Sequence, residues 1–247
     1  MSGARKEELT LYLESYGGFQ LNYANIPSIG AELPIKLRKN ITSLFEINES
    51  KGTEIKITGP TITKGSLSQW VLTNKDKKLT ATIAVNSINF KSDKMVSTKD
   101  FSDEFNKLIG EFKDAYPEVR LTRIGLRHVH IAKIAKGNPF EWGDYISSKV
   151  LSLIKNIGDE RNELSRVMGQ YVFNREFYHV IFNFGIANPE YPSRITRRHF
   201  LLDVDCFTPE VNIDIIGQTK GFNEIIGEVL KTETVGELQE RMETIYG

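Results

Sequence analysis

The chain has 247 residues, 32 Lys+Arg, 32 Asp+Glu and one cysteine, and 40% of it is hydrophobic. That balance excludes a disordered or collagen-like chain, and a formal charge of zero gives no global field for nucleic acid or anionic lipid. Cys206 alone makes neither an internal disulfide nor a cysteine zinc site, so a reducing compartment is expected.

In chain order, Leu9–Tyr23 reads as a strand interrupted by Gly17-Gly18, where a bulge or turn is expected. Leu33–Ile47 carries Leu33, Leu37, Ile41, Leu44 and Phe45 near helical spacing, with Pro34 in the first turn. Thr53–Thr58, Ser66–Thr73 and Lys78–Phe90 read as three strands, with Gly59-Pro60 and Asn74–Lys78 as turns. Ser97 or Thr98 then caps a helix carrying Phe101, Phe105, Leu108, Ile109 and Phe112 on one side.

The second half opens with a strand over Val119–Ile134 and a helix over Phe140–Ile157. A hairpin of Leu164–Phe173 with Phe177–Ile186 follows, then a Pro-containing loop over Asn188–Arg197. His199–Phe207 is a strand, and Phe222–Tyr246 is a helix broken near Thr232–Thr234.

The order is therefore β-α-β-β-β-α twice, with halves over 1–117 and 118–247 forming one compact unit. Three strands between helices argue for α+β architecture, with antiparallel sheet and helices on one face, not a doubly wound parallel sheet. The nearest analogy is the saddle of the TATA-binding class, an analogy of fold alone.

The segment Arg123-Ile-Gly-Leu-Arg127, within Val119–Ile134, resembles the R-I-G-L-R-Y-x-N-x-I strand of a sporadically distributed bacterial and archaeal family. Leu33-Pro34, Gln69-Trp70-Val71, Trp142-x-x-Tyr145-Ile146 and Phe200–Asp205 occur in the family's order. The sequence departs where His128 replaces the usual tyrosine and His130 a common asparagine. The resemblance implies no activity; the patchy distribution implies mobile or prokaryotic defence-associated loci.

Strand alternation puts Arg123, Gly125, Arg127, Val129 and Ile131 on one face, and Ile124, Leu126, His128 and His130 on the other. Asp203 and Asp205 share a face of the later strand. Arg123, Arg127, Asp203 and Asp205 can form an internal ion network, or the arginines can grip an anion such as phosphate. His128 and His130 could ligate a metal with His179, Asp203 or Asp205, although H-x-H alone is weak. Asp203 and Asp205 as acid–base groups lack a matching nucleophile. Arg194, Arg197 and Arg198, beside Tyr191, form a local basic candidate for nucleic acid. Cys206 is expected to be buried and inert.

No phosphate-loop, dinucleotide, nucleophile-elbow or zinc-protease motif occurs, so no cofactor is implied and a non-enzymatic role is expected. With no signal-peptide pattern and no long apolar run, a cytoplasmic protein without membrane contact is expected. The leading expectation is recognition of a protein partner encoded nearby. The alternative is nucleic-acid or nucleotide binding through Arg123, Arg127 or the Arg194–Arg198 loop.

Overall fold

The computed structural model describes residues 10–58, 61–76, 78–209 and 214–247. Gly59-Pro60 and Leu9, assigned above to a turn and a strand, lie outside the described residues. No helix among those described is long and apolar enough to cross a membrane.

The chain is mixed α+β. Its strands are β1 (Leu11–Tyr23), β2 (Phe45–Thr58), β3 (Thr61–Asn74), β4 (Leu79–Ala84), β5 (Ser87–Ser92), β6 (Leu121–Ile134), β7 (Val167–Asn174), β8 (His179–Ile186) and β9 (Arg198–Thr208). The helices are α1 (Ile35–Ile41), α2 (Thr98–Ala115), α3 (Ser148–Lys155), α4 (Ile215–Glu233) and α5 (Gly236–Tyr246). The strands form one nine-stranded sheet in the order β2-β3-β4-β5-β1-β6-β9-β8-β7, and every pairing is antiparallel. In each half the last strand returns beside the first, β5 to β1 and β9 to β6, while β1 and β6 join the halves along their whole length.

Several sequence expectations are corrected. Lys78–Phe90 is two strands, because the chain reverses at Val85-Asn86 and pairs Ala84 with Ser87. The first half thus has four strands after its first helix, not three. The helix expected over Phe140–Ile157 is confined to α3. Upstream, Trp142 donates from Nε1 to the Pro139 carbonyl at 2.8 Å, and Ile146 forms a bridge with Thr234. That bridge also explains the α4–α5 break: Thr234 and Val235 are extended, and Val235 N–H donates to the Tyr145 carbonyl at 2.9 Å. Finally, α1 ends at Ile41 and Phe45 begins β2, so the apolar spacing there spans two elements.

The helices cover one face of the sheet. Ser97 caps α2, its hydroxyl accepting from Asp100 N–H, and the buried stripe Phe101, Phe105, Leu108, Ile109 and Phe112 packs down. Phe19 of β1 stacks on Phe105 at 4.1 Å and Phe101 at 5.1 Å. Gly17 is neither bulge nor turn: the β1–β6 register runs through it, and a Cβ there would lie 2.7 Å from the Phe101 ring. Asp214 caps α4 by accepting from Gly217 N–H at 2.8 Å, so that helix starts before the expected Phe222.

Candidate recognition face

The side chains that alternate away from the helices form the sheet's other face. On β6 these are Arg123, Arg127, Val129, Ile131 and Lys133; on β9 they are His199, Leu201, Asp203, Asp205 and Phe207. No α-helix among the described residues packs on this face, and its residues form rows set by the register.

One row crosses four strands. Arg127 of β6 donates from Nε to Asp203 Oδ1 at 2.7 Å and from Nη2 to Oδ2 at 2.8 Å. Asn183 of β8 donates to Asp203 Oδ2 at 3.2 Å, and Gln170 of β7 donates to Asn183 Oδ1 at 2.7 Å. The Asp203 side chain is 5% exposed and that of Arg127 is 57% exposed, so the bridge is capped by a solvated cation. The two-pronged contact with Asp203 holds the Arg127 proton more firmly than usual.

A second row begins on β1. Arg123 donates from Nη1 to Gln20 Oε1 at 2.5 Å and lies 4.6 Å from the centre of the Phe207 ring. Phe207 packs on the His179 imidazole at 5.1 Å, and His179 Nδ1 shares a 2.8 Å hydrogen bond with Asn174 Oδ1. Asp205 stands between the rows. Burial raises its carboxyl above the ordinary range; Arg123 and Arg127 oppose that shift, and Asp203 adds to it.

At the β1 margin Lys133 pairs with Glu14 at 2.5 Å, and the Tyr16 hydroxyl donates to the same carboxylate at 3.0 Å. A cleft of about 740 Å³ opens beside Tyr12, Glu14, Tyr16 and Arg241. Arg123, Arg127 and Lys133 are thus met by an amide or a carboxylate, while Lys91 of β5 stands exposed on the same face, leaving a mixed surface in place of a cationic one.

The structure separates the histidines from these groups. His128 and His130 are fully buried on the helix-covered face, opposite His179, Asp203 and Asp205, so the expected metal set does not come together. Among the described residues no cluster of three metal-ligating side chains occurs. Instead, both rings meet the Tyr246 hydroxyl of α5: His128 Nδ1 at 2.6 Å and His130 Nε2 at 3.0 Å. His130 Nδ1 also meets Ser15 Oγ at 2.8 Å, while buried His128 Nε2 has no partner. Burial pushes His130 down to about 3, lowers His128 well below its ordinary value and raises Tyr246. Both rings are therefore neutral at neutral pH, and the cluster clasps the last helix.

The three arginines expected to form a basic loop also divide. Arg194 is exposed, Arg197 pairs with Glu190 at 2.6 Å, and Arg198 is buried. Cys206 is fully buried, with its thiol pushed up to about 12 chiefly by burial. No signal near Tyr246, Gln20, Asn183 or Gln170 marks them in the sequence; their partners are brought by strand register or by the final helix.

No protein-family model matches the chain, and no curated protein matches it.

Proposed function

We propose that this is a non-enzymatic recognition protein that binds a protein partner through the uncovered face of its sheet. The observation carrying the proposal is that face itself: an unroofed surface that includes the self-paired charges Arg127–Asp203 and Lys133–Glu14. Mixed polar and apolar surface with aromatic and Arg side chains suits a protein interface. A nucleic-acid interface draws its affinity from cations free to neutralise phosphate, and here Asp203 engages Arg127.

The resemblance of Arg123–Arg127 to the sporadically distributed family belongs to the same proposal, as does placement in a mobile or defence-associated locus with the partner encoded nearby. The strand order, with β5 returning to β1 and β9 to β6, supports reading the halves as an internal duplication. The uncovered face supports the analogy with the TATA-binding class.

Co-expression with the product of a neighbouring gene, followed by size-exclusion chromatography, tests the reading. Tyr12 and Val172 are exposed on this face, at 58% and 54%. Tyr12→Arg and Val172→Arg are expected to abolish co-elution, while Ile216→Arg on α4 leaves it intact. Salt-dependent binding of single-stranded RNA or DNA by the wild type, lost in Arg123→Ala, would replace this reading with the nucleic-acid one.

A further inference from the structure

A guanidinium that forms no ion pair among the described residues lies buried where β9 begins. Arg198 is 6% exposed and stands opposite Ile134 in the β6–β9 ladder, on the helix-covered face. It lies 5.4 Å from the centre of the Trp142 ring and 6.0 Å from that of Tyr145. Its Nη2 donates to the main-chain carbonyl of Glu141, and its buried Nε has no hydrogen-bond partner. No carboxylate among the described residues forms an ion pair with it. A buried charge without a counter-charge is costly, and a carbonyl dipole with two ring faces offsets only part of that cost.

A cleft of about 320 Å³ adjoins this arginine, lined among others by Gly137, Thr196, Arg197, Arg198 and His199. Gly137 has φ 100°, and a Cβ there would lie 3.0 Å from Arg198 Nη1, so the backbone closes on the guanidinium as only glycine comfortably allows. The surroundings are positive: after burial, Lys133 and Arg197 are the main causes that lower the His199 imidazole, against weaker opposition from Glu14 and Glu190. Arg197 is held at the rim by Glu190 at 2.6 Å.

We infer that this cleft binds a phosphate monoester, with the phosphate group held by Arg198 and Arg197. A planar carboxylate is satisfied by one guanidinium fork, whereas two arginines line this cleft and offer two forks, suited to a tetrahedral anion; the Thr196 hydroxyl, like Arg197, is engaged by Glu190. The cleft has the volume of about ten waters, room for a group esterified to the phosphate. This site lies outside the uncovered-face reading and does not depend on it.

Isothermal titration of the full chain with inorganic phosphate, phenyl phosphate and acetate, at ionic strength matched with chloride, tests the inference. Both phosphates are expected to bind saturably, phenyl phosphate more tightly, and acetate at least about tenfold more weakly. Arg198→Lys keeps the charge but loses the fork, and Arg197→Ala changes an exposed rim residue. Each is expected to weaken phosphate binding about tenfold or more, and Glu190→Gln, which releases Arg197, to tighten it. Absence of saturable binding by either phosphate, acetate binding equal to phosphate, or affinity unchanged in Arg197→Ala would overturn it.

Discussion

Arg127 stands directly opposite Asp205 in the β6–β9 ladder, yet its guanidinium closes on Asp203, two residues along, with bonds of 2.7 and 2.8 Å. The diagonal choice follows from what else Asp203 receives: Asn183 supplies a further donor, so its buried carboxylate is satisfied from two strands. Arg127→Ala removes two of those bonds but leaves Asn183 in place. Because Arg127 is more than half exposed, the expected loss is about 1–3 kcal/mol, below that of a fully buried pair. A double-mutant cycle with Asp203→Ala, followed by urea unfolding, should return a coupling of about 0.5–3 kcal/mol. Additive losses would mean that the contact contributes no stability of its own.

Acid should release the last helix. His128 and His130 are buried in neutral form with folded-state values below the ordinary 6.5, His130 at about 3. Between those values the unfolded chain binds protons that the folded chain refuses, so stability falls as pH drops below about 6.5. Each histidine contributes a slope approaching about 1.4 kcal/mol per pH unit. Melting temperatures at pH 7 and pH 5 should differ clearly, and the difference should shrink in His128→Asn. A flat profile from pH 7 to 5 would contradict neutral burial of the pair.

Two glycines of α4 should respond with opposite sign. A Cβ at Gly221 meets nothing within 4 Å, so Gly221→Ala is expected to stabilise by about 0.5–1 kcal/mol through helix propensity. A Cβ at Gly227 would lie 3.0 Å from the Tyr246 ring, which is pinned by two histidines, so Gly227→Ala should destabilise. Thermal melts of the two variants compare the effects directly. Equal stabilisation by both would show that Tyr246 moves freely.

Tyr246→Phe keeps the ring and removes the hydroxyl that both histidines share. It leaves buried imidazole nitrogens unpaired, and a loss of about 1–3 kcal/mol is expected from chemical denaturation. An unchanged midpoint would make the clasp energetically idle.

The faces of β6 and β9 were legible because strand alternation is strict: Arg127 and Asp203 fall on one side, and His128 and Cys206 on the other. Face assignment did not reveal which side the helices cover, and that decides whether His128 meets Asp203 or Tyr246. Tyr246 lies 118 residues away from His128 along the chain, with no local signal linking them. No glycine or proline marks the reversal at Val85-Asn86, and the flanking residues keep strand character, so local pattern does not separate β4 from β5. Trp142 and Ile146 kept helical spacing, but their burial is met by a carbonyl bond and a bridge to Thr234, a tertiary pairing that local periodicity does not encode.

If the uncovered sheet face holds a protein partner, as proposed, hydrogen exchange on a complex obtained by co-expression with a neighbouring gene product should show it. Amides of β7 and of β1 around Tyr12 should gain protection on binding, while those of α4 around Ile216 stay unchanged, and Tyr12→Arg with Val172→Arg should erase the gain. Protection confined to the helical side, or persisting in those variants, would contradict the account.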